Sequence, residues 1–305
     1  MFGPTRNLDA SPARIATHIV TLRGRTAVAI KAIALDIDGT LTNDEKVVTP
    51  RTKEALFAAQ RAGIRVILAS GRPVQGLRAL ARELELDRYH GLLVAFNGAH
   101  VVDAETDEVL FDQPMAVEDM RTLLDHLRGF DVIPWVTEGE HLYVEDAYRC
   151  EILHKGRPIN IVKYERDACD LKICEVRDLA EVLDHPQDKI LTAGTDTYLA
   201  AHWEEMYAPF RDRLSGMFTA DFYFEFMAPG INKAHALSGA LPKLGIDAAE
   251  VAAFGDGQND AAMIAWAGTG VAMANAIDET KAVADMVTAS NNEDGIALAL
   301  EKILG

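Results

Sequence analysis

The most constraining stretch of this chain is an apolar run that ends on two acids. Residues 27–35 are apolar except for Lys31, and Asp36 and Asp38 follow directly, with a Gly-Thr pair after them. Such a run predicts a buried strand. Because alternate residues of a strand point the same way, Asp36 and Asp38 can face one small volume above the sheet. Two carboxylates there need a cation or a shared proton, which suits phosphoryl transfer; the alternative is an ordinary Asp-Gly turn.

The segments after these acids alternate between predicted helices and strands. Thr49 and Pro50 are typical of a helix start, with Thr as the N-cap and Pro at the first helical position. Further strands are predicted over residues 64–69 and 91–96, with a helix between them. This alternation predicts an α/β fold with a Rossmann-like parallel sheet covered by helices.

The pattern changes between His100 and Met227, where strands become shorter and more strictly alternating. From Asn232 the alternation of strand and helix resumes. We therefore predict a discontinuous core of residues 27–99 and 229–305, with an α+β domain of residues 100–228 inserted into it.

The first 26 residues have four arginines and a single acid. A poorly ordered extension is the simplest expectation for them, and a transit peptide is the alternative.

Composition excludes several classes of partner. The 305-residue chain has a net charge of −17 and a pI near 4.9, so its field repels nucleic acid and anionic membranes. The sequence contains no run of about 18 apolar residues, so no transmembrane helix is predicted. Cys150, Cys169 and Cys174 form no zinc-binding pattern, which favours reduced thiols and a cytoplasmic location. The oligomeric state is left open.

Polar residues follow the predicted strands at several points. In open parallel sheets ligands bind at the carboxyl ends of the strands, so these residues are site candidates together with Lys233 on the first turn of a later helix. The candidates at strand ends are Asp36, Asp38, Ser70, Gly71, Arg72, Asn97, Asp256, Asn259 and Asp260. Taken singly, Ser70 could be only a helix N-cap, Asn97 part of a turn and Lys233 a surface lysine.

The acidic cluster at residues 255–260 fits none of the common alternatives. An EF-hand beginning at Asp256 would need Gly and Glu where Ala261 and Ala267 stand. A dinucleotide-binding fingerprint would need a third Gly at Asp260. The sequence also has no Walker loop, no GxSxG and no HExxH, which excludes the enzyme classes that depend on them.

Taken in order, these segments resemble the four motifs of the haloacid dehalogenase (HAD) superfamily, and within it the Cof-type phosphatases with a large C2-type cap. The motifs correspond to residues 36–40, 70–72, Lys233 and 255–260, and residues 271–276 resemble the stretch beyond the fourth motif. The resemblance covers about residues 31–305. An insert between the second and third motifs is what implies a C2 cap. The departures are Asn232, where Ser is common, and Ala234, where Gly is common.

The resemblance implies a role for each matching residue. Asp36 would be the nucleophile that forms an aspartyl-phosphate, and Asp38 would protonate the leaving oxygen and then activate water. Mg²⁺ would be held by Asp36, Asp256 and the backbone carbonyl of Asp38, with Asp260 as a direct or water-mediated ligand. The phosphate-binding group would be Ser70, Gly71, Lys233 and Asn259, the last of these positioning Lys233 or the metal. Arg72 and Asn97 are further candidates for substrate contact.

The predicted function is therefore Mg²⁺-dependent hydrolysis of small phosphorylated metabolites, with sugar phosphates as the first expectation. The alternatives are a phosphomutase of sugar phosphates and a non-catalytic protein that binds phosphorylated metabolites. The predicted insert has basic residues that could meet a second anionic group, but none of them is assigned a role: His141, Lys155, Arg157, Lys163, Arg166 and Lys172. Trp135 and Tyr143 are interpreted as core residues of the insert.

Overall fold

The computed structural model describes residues 28–305. Its helices are α1 Pro50–Arg61, α2 Val74–Glu83, α3 Val117–Leu127, α4 Ile161–Cys169, α5 Leu179–Val182, α6 Asp196–Tyr207, α7 Lys233–Ala240, α8 Ala261–Trp266, α9 Asp278–Val283 and α10 Gly295–Leu304. Its strands are β1 Ala32–Leu35, β2 Arg65–Ala69, β3 Leu92–Ala95, β4 His100–Asp103, β5 Val109–Asp112, β6 Ile133–Glu138, β7 His141–Val144, β8 Glu151–His154, β9 Arg157–Asn160, β10 Lys172–Glu175, β11 Lys189–Ala193, β12 Ser215–Ala220, β13 Tyr223–Met227, β14 Val251–Gly255, β15 Thr269–Ala272 and β16 Met286–Val287. The predicted extension of residues 1–26 lies outside the described residues.

The larger sheet has eight strands in the order β16-β15-β14-β1-β2-β3-β4-β5. The first six are parallel, and β1 lies in the middle between β14 and β2. Every residue of β1 is fully buried, because helices cover both faces of the sheet. Ile33 and Leu35 join the apolar cluster under α1, α2 and α10, whereas Ala32 and Ala34 join the cluster under α7 and α8. The predicted α/β fold with a parallel sheet is confirmed.

The opening strand is shorter than predicted. The strand begins only at Ala32. Lys31 precedes it, with its backbone N–H donating to the Glu250 carbonyl at 2.8 Å, and its exposed side chain forms a salt bridge with Glu250. The charge at position 31 therefore lies at the strand's start and does not interrupt a buried strand.

The end of this sheet differs from the predicted boundary at residue 99. β4 and β5 pair antiparallel with β3 and with each other, so residues 100–112 extend the larger sheet. Their short alternating pattern is typical of antiparallel strands in either sheet, and pairing partners cannot be read from alternation. The division into two domains stays a proposal, with its first boundary after Asp112.

A second sheet of six strands, which we call the cap sheet, has the order β10-β7-β6-β11-β13-β12. One of its faces, with Phe224 and Phe226, packs in the same cluster as α3 and α6. The other face carries Trp135, which is buried against Tyr223, and packs on α4 and the β8–β9 hairpin. Within the described range 28–305, no helix has the length and apolar character to cross a membrane.

Candidate active site

The loops after β1, β2, β3 and β14 meet at one edge of the larger sheet. The ladder continues into the first loop, because the Asp36 backbone N–H donates to the Phe254 carbonyl at 3.0 Å. Gly39 then adopts φ of +86°, and a Cβ at this position would lie 2.5 Å from Oδ2 of Asp256. Glycine is therefore required for the close approach of this loop to Asp256. Thr40 completes the contact by donating from Oγ1 to Oδ1 of Asp256 at 2.7 Å.

The ammonium group of Lys233 lies between two carboxylates. Its Nζ is 2.6 Å from Oδ1 of Asp36 and 2.6 Å from Oδ1 of Asp260, and its side chain is fully buried. Lys233 occupies this place because α7 begins at it, with the Asn232 side chain capping the helix by accepting from the His235 N–H at 2.9 Å. The interpretation of Lys233 as a surface lysine is thus wrong.

Asp260 also fixes the loop that precedes it. Its second oxygen, Oδ2, accepts the backbone N–H groups of Asp256 and Gly257 at 3.0 and 2.9 Å. Both oxygens of Asp260 are therefore engaged, one by Lys233 and one by the loop. This carboxylate links the lysine to the segment that bears Asp256.

The charges of this buried group are not balanced. Burial raises the pKa of Asp36 to about 7, even though Lys233 acts to lower it. For Lys233, burial acts to lower the pKa, but Asp260 and Asp36 outweigh it and raise the pKa above its ordinary value. Burial likewise raises the pKa of Asp256. One lysine shared among three acids leaves an excess of negative charge, which a proton or a further cation can neutralise.

Asp38 has a different environment. Its two oxygens accept from Nζ of Lys46 and from a guanidinium nitrogen of Arg72, each at 2.8 Å. Burial acts to raise the pKa of Asp38, but Arg72 and Lys46 outweigh it and hold the pKa below its ordinary value. The two acids of the first loop are thus set apart, with Asp36 inclined to hold a proton and Asp38 ionised.

The loops after β2 and β3 support each other. The Asn97 backbone N–H donates to the Ser70 carbonyl at 2.9 Å, and the Arg72 N–H donates to the Ser70 hydroxyl at 3.3 Å. Asn97 has φ of +55°, a left-handed conformation that Asn tolerates better than most residues. Its side-chain oxygen accepts from Nδ2 of Asn259 at 3.3 Å, which links these loops to the one after β14.

Three carboxylates of this edge could hold a metal ion. Asp36, Asp256 and Asp260 each offer one oxygen, and these oxygens lie within 4.8 Å of one another. The donor set is all oxygen and carries excess negative charge, which is the chemistry that hard divalent cations prefer. The described residues therefore fit a metal centre at the predicted position.

A cavity of about 310 Å³ lies above these loops. All of the predicted site residues except Lys233 line it, and Lys233 lies beneath it, bonded to two that do. The other wall comes from the cap sheet and α4. It consists of Glu165, Lys189, Leu191, Thr219, Tyr223 and Glu225.

None of these cap residues was singled out from the sequence, and none of the six basic residues of the insert lines the cavity. For two of the cap residues that line the cavity, the sequence does contain a signal. Glu225 is a lone acid within the apolar run of β13, and Lys189 opens the apolar strand β11. A charge within a buried strand is seldom tolerated without a partner, so such positions deserve to be treated as site candidates.

Comparisons with known proteins agree with this arrangement. The sequence model of the haloacid dehalogenase-like hydrolase family matches residues 33–300. A Bacillus subtilis protein named as a 5-amino-6-(5-phospho-D-ribitylamino)uracil phosphatase is 31% identical over 280 residues, which is 90% of this chain and 96% of that protein.

Two solved structures have the same architecture. A haloacid dehalogenase-like hydrolase from Bacteroides thetaiotaomicron has a TM-score of 0.81 at 32% identity, covering 90% of this chain and 99% of that one. A HAD subclass IIB sugar phosphatase has a TM-score of 0.72 at 25% identity, covering 89% and 98%. The match of the family model over most of the described chain confirms both the predicted family and the predicted enzyme class. This chain therefore belongs to the haloacid dehalogenase-like hydrolases, as a Cof-type member with a cap.

Proposed function

We propose that this hydrolase is a Mg²⁺-dependent phosphatase that cleaves small phosphorylated metabolites, and sugar phosphates in particular. The observation that carries the proposal is the group of Asp36, Asp256, Asp260 and Lys233 at the floor of a cavity whose other wall is the cap sheet and α4. A carboxylate nucleophile, a cation site and a fixed ammonium group in one place suit phosphoryl transfer, in which positioning and charge neutralisation supply most of the catalysis.

In the first step, an oxygen of Asp36 attacks phosphorus and the bond from phosphorus to the leaving oxygen breaks. The product is an aspartyl-phosphate on Asp36. Ser70, the backbone N–H groups that follow it, and Lys233 hold the nonbridging oxygens, where negative charge is greatest in the transition state. Asp36, Asp256 and Asp260 would hold Mg²⁺, which when bound would screen the repulsion between the carboxylate and the phosphate dianion.

Asp38 handles the protons in both steps. It gives a proton to the leaving oxygen, and then takes one from the water that attacks the aspartyl-phosphate and restores the Asp36 carboxylate. Lys46 and Arg72 keep Asp38 ionised in this structure, so the proton must arrive when the substrate binds: we expect the substrate to draw Arg72 away from Asp38, which then takes up a proton from solvent and passes it to the leaving oxygen. This gives Arg72 a role in substrate contact.

Metal binding to this site is expected to strengthen as the pH rises. Burial raises the pKa of Asp36 to about 7, and a carboxylate must lose its proton before it can act as a ligand. As the pH rises toward 7, the Kd for Mg²⁺ should therefore fall by up to about tenfold per pH unit. Above pH 7 the Kd should level off. Calorimetric titration with Mg²⁺ at pH 6, 7 and 8 measures this dependence. An equal Kd at all three values would contradict the assignment of Asp36 as a ligand.

The cavity indicates a small substrate. The cap covers the carboxyl edge of the sheet, so polymers and folded phosphoproteins would not reach Asp36. Two of the similar proteins are named as a sugar phosphatase and as a phosphatase of a ribityl compound, which supports a phosphorylated sugar or polyol. The described cysteines are all free, which fits the proposed cytoplasmic location.

The test is phosphate release from a panel of hexose, pentose and polyol phosphates, phosphorylated sugar acids, nucleotides and p-nitrophenyl phosphate, with Mg²⁺ and with EDTA. We expect release from a few sugar or polyol phosphates that EDTA abolishes. Release that EDTA leaves unchanged would overturn the metal assignment. Interconversion of sugar phosphate isomers, stimulated by a sugar bisphosphate, would show a phosphomutase instead.

A further inference from the structure

A second buried ion pair lies on the cap side of the cavity. Lys189 opens β11 and Glu225 lies in the neighbouring strand β13. Nζ of Lys189 is 2.8 Å from Oε1 of Glu225, and the two residues are only 8% and 3% exposed. Thr219 adds a hydrogen bond from its hydroxyl to the same oxygen at 3.0 Å. The pair is thus as deeply buried as Asp36 and Asp260 on the opposite wall.

Both members of the pair reach across the cavity to the loops of the larger sheet. Nζ of Lys189 donates to the carbonyl of Gly71 at 2.8 Å. The other oxygen of Glu225, Oε2, accepts from Nδ2 of Asn97 at 2.9 Å. The residues joined in this way are 118 and 128 positions apart in the chain. Each member of the pair is therefore bonded both within the cap and to the loops after β2 and β3.

The partners on those loops belong to the proposed phosphate site. Lys189 donates to the carbonyl of Gly71, which belongs to the peptide group between Gly71 and Arg72. The N–H of the same peptide group donates to the Ser70 hydroxyl. Asn97, which Glu225 holds in a left-handed conformation, accepts in turn from Asn259. A change in the pair would therefore reach both the Ser70 loop and the loop after β14.

Stability alone gives a weak reason for such a pair. A buried ion pair often contributes no more than apolar residues of similar volume, because both charges lose their hydration. A fixed geometry is a better reason, since charged partners with several hydrogen bonds restrict the groups that they hold.

We propose that Lys189 and Glu225 are positioning residues that fix the phosphate-binding loops from the cap, so that the site has its productive geometry only while the cap lies over it. This inference rests on the proposed function, since it concerns the same phosphate site. It makes the placement of the cap a condition for binding the phosphoryl group itself, in addition to the rest of the substrate.

The test uses Lys189→Met, Glu225→Gln and the double variant, which has the same net charge as the native protein. The matched control is Lys172→Met with Glu140→Gln, an exposed ion pair at the edge of the same cap sheet. Three quantities are measured with saturating Mg²⁺: the Kd for inorganic phosphate by calorimetry, and kcat and KM for p-nitrophenyl phosphate. Thermal unfolding is followed in parallel.

We expect the Lys189→Met and double variants to bind inorganic phosphate roughly tenfold more weakly, since a charge-assisted hydrogen bond that orients the loop is lost. Their kcat should fall roughly 100-fold, as for other displacements of about 1 Å at a reacting centre. The single variant Lys189→Met should also unfold at a lower temperature, because Glu225 is left buried without its partner. The double variant should recover the unfolding temperature while phosphate binding and kcat stay impaired, and the control pair should change nothing.

If the double variant recovered phosphate binding and kcat together with its unfolding temperature, the role of Lys189 and Glu225 would be merely structural. That result would overturn the inference. Native phosphate affinity in Lys189→Met would overturn it as well. These outcomes are separate from failure of the proposed function. If the native protein released phosphate from no compound but bound inorganic phosphate in a pair-dependent way, the function would fail and the inference would stand.

Discussion

Replacing Asp36 by Asn is expected to abolish phosphate release while the protein stays folded. The amide has almost the same shape as the carboxylate, and its oxygen can still accept from Lys233, whose Nζ lies 2.6 Å from Oδ1 of Asp36. It is a poor nucleophile, however, and cannot form the aspartyl-phosphate. We expect kcat to fall by roughly 10⁴-fold or more, as for removal of other covalent nucleophiles.

The fold should tolerate this change, because burial already makes the charged form of Asp36 unfavourable. Thermal unfolding and the circular dichroism of Asp36→Asn should therefore match those of the native protein. Asp87→Asn, at an exposed position away from the cavity, makes the same chemical change and should keep full activity. Residual turnover above about one per cent of native, on any substrate of the panel, would show that Asp36 is not the nucleophile.

Much of the site at the carboxyl edge of the larger sheet is predictable from the sequence, because local residue patterns mark where each strand ends. Asp36 and Ser70 follow apolar runs of strand length, and Asp256 follows a third. Parallel strands covered by helices bring their carboxyl ends to one edge, so the sequence order of these residues implies that they meet. The four motifs in their order also carry the resemblance to the family, which the comparisons confirm. The catalytic roles stay predictions.

Lys189 and Glu225 stand out as charges in apolar strands, but the contacts of the cap wall could not be predicted, because they depend on how two distant parts of the chain dock. Lys189 contacts Gly71 and Glu225 contacts Asn97, and no local period relates these positions. The basic residues of the insert could have met a second anionic group of the substrate, but Lys and Arg are mostly exposed in any globular protein, so their presence alone does not indicate a site. The same reason explains why the predicted boundary at residue 99 differs from the end of the larger sheet. Alternation shows that β4 and β5 are strands but does not show which sheet they join.

Removal of the buried ammonium group should reduce both activity and stability. Lys233→Met keeps an unbranched chain of similar length but leaves Asp36 and Asp260 without their cation. Breaking one side of a buried ion pair typically costs about 3–5 kcal/mol of unfolding free energy. Activity should fall as well, because Ser70 and the backbone N–H groups must then hold the nonbridging oxygens without the charge of the ammonium group.

The loss of stability in Lys233→Met should depend on pH in a definite direction. Burial already raises the folded-state pKa of Asp36 to about 7 against the opposing effect of Lys233, so without the lysine this pKa rises further and the folded state binds more protons than the unfolded chain. Stability is then lost as the pH rises, and a proton partly replaces the missing cation at low pH. Urea unfolding in EDTA at pH 5.5 and pH 8 measures this difference, with exposed Lys302→Met as the control. An unfolding free energy equal to that of the native protein at pH 8 would mean that Lys233 does not neutralise these carboxylates.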